Sequence, residues 1–293
     1  GGLVTGLAIA NLVSQAANIT VIVRNSSGVQ IGTFNLPLPA MGHTSFMLKD
    51  NYPITSDQRG TIEFQTPPGG RISILGLRAN GPSVTTLPVL ANVSTTGGSI
   101  THTLFNGEWT AGYTLVNTGA TAASATLKFF AENGSGLSVP LSLPQTGEVF
   151  TGTSITKIIP ARGSLLIETV GQAAQPVVVG SARLTTTGNI SGFGIFKWLP
   201  FGQEASVSLE SRNPAAYVLA FDNTNGLATG LAVAEVSGTA AAAIPVIVRD
   251  DAGVSLAGPP FINLPANGHT SFMLPGTFPA TVGKRGTIEF RTP

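Results

Sequence analysis

The chain has 293 residues, no cysteine, a net charge of +1 and only 10 % Asp, Glu, Lys and Arg, against roughly a quarter in an average globular protein. Lack of cysteine excludes disulfide staples and thiol chemistry, and the near-neutral charge argues against a nucleic-acid partner, which needs a concentrated basic stripe. No run reaches the eighteen or so apolar residues of a bilayer-spanning helix; the longest candidate, 239–248, is short and contains Pro245, so no membrane span is expected.

In chain order, Gly2-Leu3-Val4-Thr5-Gly6-Leu7-Ala8 opens a first unit. A strand follows in which Ile19, Val21 and Val23 share one face and Thr20, Ile22 and Arg24 the other; period two with β-branched residues is the strand signal. Asn25-Ser26-Ser27-Gly28 is the next turn, with Gly supplying the positive φ of a tight hairpin. Pro39-Ala40-Met41-Gly42 is a second turn, feeding a strand expected to bury Thr44, Phe46 and Leu48. Arg59-Gly60-Thr61-Ile62-Glu63-Phe64 and 71–77 complete the unit.

The same order then recurs in diverged form. Trp109-Thr110-Ala111-Gly112-Tyr113-Thr114-Leu115-Val116-Asn117 aligns with 3–11, Ala125, Leu127 and Phe129 alternate with Thr126, Lys128 and Phe130, and the turns return as Glu132-Asn133-Gly134-Ser135-Gly136 and Pro160-Ala161-Arg162-Gly163. This middle unit is longer, mostly through 144–152. The third unit is nearly a copy of the first. Gly226-Leu227-Ala228-Thr229-Gly230-Leu231-Ala232, Val246-Ile247-Val248-Arg249, Asp250-Asp251-Ala252-Gly253, Pro265-Ala266-Asn267-Gly268 and Arg285-Gly286-Thr287-Ile288-Glu289-Phe290 fill the corresponding slots. Gly42-His43-Thr44-Ser45-Phe46-Met47-Leu48 returns letter for letter at 268–274. Ile244, Val246 and Val248 share a face there, and Pro245, lacking an N–H, is expected at an edge or a strand start.

A repeat of this kind decides the architecture before local propensity does. Short strands at about ten-residue spacing, with 36 Gly and 20 Pro, mean two-sheet sandwiches. The predicted fold is all-β: three tandem immunoglobulin-like β-sandwich units at 1–92, 99–210 and 215–293, joined by short linkers near 92–99 and 209–215. The first is expected to lack its opening strand and the last its closing one or two. Those open sheet edges would allow end-to-end association of chains, a homopolymer, and the weakly charged surface would permit close packing.

The quoted motifs resemble tandem β-sandwich repeats of large secreted and cell-surface bacterial proteins. The resemblance spans essentially the whole chain. It implies an extracellular or cell-surface setting and a structural or adhesive role, and it carries no catalytic residues across.

Candidate chemistry is sparse. His43 and His269 are equivalent, the middle unit has Ser164 there, and alternation makes them solvated strand residues; His102 has no histidine counterpart in the third unit. No ligand spacing for a metal is visible. Asp222-Asn223-Thr224-Asn225-Gly226 resembles the start of an oxygen-ligand Ca²⁺ loop but lacks the later carboxylates, so it reads as a turn. Ser154-Ile155-Thr156-Lys157 matches a Ser-x-x-Lys spacing without companion motifs or a helix start. Arg59 with Glu63, and Arg285 with Glu289, read as register pairs across to neighbouring strands. Five sequons, at Asn18, Asn25, Asn92, Asn133 and Asn189, carry little weight in a chain rich in Ser and Thr.

Aromatics set the middle unit apart. Trp109, Tyr113, Phe196 and Trp198 stand where the first unit has Leu3, Leu7, Arg78 and Asn80. Buried, they are larger core residues. Exposed, Trp109, Tyr113 and Trp198 could stack on sugar rings or fill a pocket in an adjoining unit. The function expected is therefore a non-catalytic structural protein of an extracellular fibre, with no cofactor. The alternative is an adhesin or carbohydrate-binding stalk with surface glycans as partners.

Overall fold

In a computed structural model the chain is described at residues 3–81, 83–90 and 97–292. Asn92, most of the linker at 92–99 and the outermost residues of the expected units lie outside these. The fold is all-β, and its antiparallel sheets follow the sequence repeats. The first repeat forms β1 (Val4–Asn11), β2 (Ala17–Asn25), β3 (Gln30–Leu38), β4 (His43–Met47), β5 (Gly60–Gln65), β6 (Ile72–Asn80) and β7 (Ser83–Leu87). One sheet runs β4-β1-β6-β7 and another β3-β2-β5.

The middle repeat forms β8 (Gly97–Phe105), β9 (Trp109–Asn117), β10 (Ala123–Ala131), β11 (Val139–Leu143), β12 (Glu148–Gly152), β13 (Ser154–Ile159), β14 (Ser164–Thr169), β15 (Val178–Thr186), β16 (Ile190–Trp198) and β17 (Gln203–Ser208). Its sheets are β13-β10-β15-β8 and β12-β11-β14-β9-β16-β17. The extra length noted at 144–152 is the turn and second strand of the hairpin β11–β12, which widens one sheet. The third repeat forms β18 (Ala216–Asp222), β19 (Gly230–Ala234), β20 (Ala242–Asp250), β21 (Phe261–Leu264), β22 (His269–Met273) and β23 (Arg285–Arg291), in sheets β18-β23-β20-β21 and β19-β22.

The alternation read from sequence holds. Ile19, Val21 and Val23 are buried on β2, Ala125, Leu127 and Phe129 on β10, and Ile244, Val246 and Val248 on β20. Full burial of such a side chain contributes about 1.5–3 kcal/mol. Pro245 sits inside a central strand, but where the missing N–H does no harm: it pairs with Phe261 on β21, and the ladder to β23 starts only at Val246.

One strand differs from expectation. Thr44 and Phe46 are only half-buried, and Leu48 opens a single helical turn, Leu48–Asn51, instead of continuing β4. The turn itself recurs at Leu274–Thr277 in the third repeat, where Leu274 is fully buried; Leu48 stays half-buried because the first repeat is narrower. Sheet β3-β2-β5 has three strands where the corresponding sheets have β8 or β18 as a fourth. Its fully buried cluster is Ile9, Ala17, Ile19 and Leu38, with Phe46, Phe64 and Ile74 packed partly against it. Phe34 and Phe46 close around Tyr52, at ring separations of 4.9 and 5.6 Å. The middle repeat buries a far larger cluster drawn from both of its sheets, including Tyr113, Leu127, Phe129 and Leu141.

Candidate functional site

The features that set this molecule apart lie where repeats meet. Each repeat carries two turns of fixed geometry. The hairpin after β2, β10 or β20 closes with an N–H···O=C bond from Gly28 to Asn25, Gly134 to Ala131, and Gly253 to Asp250. Its glycine has φ of +82°, +81° or +80°. The Pro-Ala-x-Gly turn closes with Gly42 to Pro39, Gly163 to Pro160 and Gly268 to Pro265. Its third residue is left-handed in each case: Met41, Arg162 and Asn267 have φ of 52°, 58° and 59°.

The two turns interlock between successive repeats. The Ser164 N–H donates to the Ser26 carbonyl (2.9 Å), and one repeat further on the His269 N–H donates to the Glu132 carbonyl (3.1 Å). The glycines are required by close approach. A Cβ on Gly28 would collide with the Ala161 carbonyl, and one on Gly134 with the Ala266 carbonyl. The joint is thus made twice, with the same atoms in the same places.

A buried side chain stiffens each Pro-Ala-x-Gly turn. Asn117, 1 % exposed, donates to the carbonyls of Thr121, Ile159 and Pro160 (2.8, 3.0 and 3.1 Å) and accepts from the Gly119 N–H (2.9 Å). Asn11 does the same work toward Gln15, Pro39 and Val13. The third repeat has Glu235 in this slot, which cannot donate. It accepts instead, from the N–H groups of Ser237 (2.6 Å), Gly238 (2.9 Å) and Asn267 (2.8 Å). Burial works to raise the Glu235 carboxyl, but these bonds hold it below its ordinary range.

Charge across the two joints is reversed. Burial would raise Glu63, yet hydrogen bonds from Gln65 and Arg24, with the charges of Arg24 and of Arg162 in the next repeat, hold it down. At the second joint the base comes first. Burial lowers the Arg183 guanidinium, while Glu235 of the third repeat opposes that shift. Arg183 also lies over the Phe130 ring at 5.1 Å.

Side chains add further contacts. Along the first junction Arg78 meets Glu204, whose side chain is 1 % exposed, at 3.0 Å, and Thr86 meets Ser206 at 3.0 Å. At the second, His102 on β8 and His269 on β22 stack at 5.1 Å, with Nδ1 of the first 3.0 Å from Nε2 of the second. This corrects the expectation of a solvated His269: it is 2 % exposed, because β22 packs onto the neighbouring repeat, whereas its sequence twin His43 is exposed. Strand alternation within one repeat carries no information about that neighbour. The pair offers two nitrogens, and among the described residues no group of three or more His, Asp or Glu could hold a metal ion.

The histidine pair makes the second junction acid-sensitive. Burial, then the charge of His102, depresses His269 to about 4, and burial depresses His102. The unfolded chain takes up these protons near 6.5. The penalty is therefore absent above pH 6.5 and grows as the pH falls toward 4, reaching on the order of 2 kcal/mol. Between pH 6.5 and 4.5, before the carboxylates contribute, the urea midpoint of the wild type should fall with pH. In His269→Ser, which installs the residue of the middle repeat, that slope should flatten.

The sequence-predicted aromatics separate by role. Tyr113 is fully buried among Leu115, Leu127 and Phe129, its hydroxyl paired with Thr103, so it belongs to the core of its own sandwich. Trp109 and Trp198 are direct cross-strand partners on β9 and β16 and stack at 5.9 Å and 15°. Beside them an open cleft of about 430 Å³ is lined by Ser83 and Val84 of the first repeat and Trp109, Phe196 and Glu204 of the middle one. Glu63 and Glu289 do pair across strands, with Arg24 (2.6 Å) and Arg249 (3.0 Å), and Arg285 reaches Asp222 (2.8 Å). Asp222 thereby closes the Asp222–Gly226 turn together with Thr224. Ser154 and Lys157 lie on strand β13, where Lys157 pairs with Glu148 (2.6 Å). No helix among the described residues is long and apolar enough to cross a membrane.

No family model and no curated protein matches the chain. Among solved structures it is similar to the PBSX exported protein XepA, at 11 % identity over 64 % of this chain and 78 % of that one, with a TM-score of 0.15. Likeness that loose carries no argument about this chain.

Proposed function

We propose that the chain is a non-catalytic structural protein, a stretch of an extracellular or cell-surface fibre built from tandem β-sandwiches. The observation that carries this reading is the interlocking joint, made by the same backbone atoms between the first and middle repeats and again between the middle and third. A contact between two different surfaces of successive units repeats head to tail, and it builds an open filament wherever the rotation per step does not close a ring. The low charge content supports dense packing of such a rod. Negative-stain electron microscopy of the concentrated protein tests the proposal: periodic threads are expected, and isolated short particles would overturn it.

A second reading, an adhesive or carbohydrate-binding stalk, is favoured by one specific feature, the Trp109–Trp198 stack beside an open cleft between two repeats. On that reading surface glycans are the partners. Trp198→Ala should then abolish capture on a glycan array, a loss of tenfold or more, with the circular dichroism spectrum unchanged. Equal capture by wild type and variant would exclude the stack as the contact.

A further inference from the structure

Both halves of the joint occur once more, with no repeat docked on them among the described residues. At Gly253 nothing stands within 4 Å of where a Cβ would lie, and Asp251, Ala252 and Gly253 are exposed. At the other end of the array Ala40 and His43 are exposed, and Met41 is 68 % exposed. The engaged turns look different: Gly163 and Gly268 are buried. The free hairpin has the glycine φ and closing bond of the two docked hairpins, and the free turn has the left-handed third residue and closing bond of the two docked turns.

We propose that these two free halves are the binding surfaces by which one copy of this chain docks onto the next. The hairpin at 250–253 of one copy would enter the Pro39-Ala40-Met41-Gly42 turn of a second. This inference rests on the fibre reading and deepens it by naming the interface: interlocked turns, not bare strand edges.

Three observations commit the site to a second copy. The acceptor turn is Pro-Ala-x-Gly in all three repeats, so the carbonyl that Gly28 and Gly134 pass at close range has its equivalent in Ala40. The backbone bond of the second joint, from the His269 N–H to the Glu132 carbonyl, has its positional equivalents in His43 and Asp251. Asp251 would thus offer its carbonyl to the His43 N–H. Finally, Glu289 would meet no like charge. Glu289, the equivalent of Glu63, is already neutralised by Arg249 and Arg291, and it would face Met41 and Asn11, which carry no charge.

The chain has no cysteine, so the joint can be trapped cleanly. The Asp251→Cys/His43→Cys double variant, oxidised at micromolar concentration and run on a non-reducing gel, should give a ladder of covalent multimers. Either single variant should stop at dimer. Adding Gly253→Ala, whose Cβ has open space in the free chain, should leave the fold intact by circular dichroism and remove at least nine-tenths of the ladder. A folded double variant that gives no ladder overturns the proposal, as does a ladder indifferent to Gly253→Ala. Threads in the microscope without a ladder would discard this interface and leave the fibre reading standing; absence of both would discard the two together.

Discussion

Gly134→Ala is expected to release the third repeat from the middle one while leaving both sandwiches folded. The new methyl group would sit against the Ala266 carbonyl, a backbone atom that no rotamer change can move. Overpacking of this kind costs about 1–3 kcal/mol, and the left-handed φ of +81° adds its own strain. A loss of about 3 kcal/mol corresponds to a shift of roughly 100-fold in the equilibrium between docked and undocked repeats. Limited proteolysis in the connection at 209–215 reads that equilibrium and should accelerate by a similar factor. Gly253→Ala is the control: φ is the same within a degree, but the methyl group meets nothing, so cleavage should stay at the wild-type rate. If both variants are cleaved alike, backbone strain and not the joint is responsible.

Asn117→Ala is expected to be the most destabilising polar-to-alanine change in the middle repeat. Its side chain satisfies three carbonyls and one N–H at a site 1 % exposed. A buried group left without a partner costs about 1–3 kcal/mol. Relief by water at some of these groups leaves an expected total of about 3–5 kcal/mol, or a fall in Tm of about 10 °C. Urea denaturation at pH 7 measures it. Asn117→Asp should fare little better, because a carboxylate cannot donate to the three carbonyls. A loss under about 1 kcal/mol in Asn117→Ala would mean that the turn keeps its shape unaided.

How much of this was legible in the sequence follows from the range of each interaction. Strand faces were readable because alternation is local: Val21 and Leu127 announce themselves within five residues. The turns were readable because Gly28, Gly134 and Gly253 satisfy a local backbone demand. Repeat alignment placed Asn11 and Asn117 in one slot, a signal that a side chain there has a fixed task, but it could not show which carbonyls they bind. The burial of His269 was out of reach. It depends on His102, far away in sequence and in another repeat, and the identical string around His43 ends up exposed. The paired aromatics were half-legible. Size at equivalent positions marked Trp109, Tyr113 and Trp198 as special, but only the cross-strand register separates the enclosed Tyr113 from the stacked tryptophans at the cleft.

The reversal of sign between Glu63 with Arg162 and Arg183 with Glu235 has a consequence for how the array comes together. Because all three repeats share one pair of turns, any hairpin has the shape to enter any turn, including the wrong one during synthesis or refolding. A middle repeat meeting another middle repeat would set Arg183 against Arg162. A first repeat meeting a third would set Glu63 against Glu235. Either mistake would bring like charges together, a repulsion that would disfavour the wrong neighbour while a single backbone connector serves all of them.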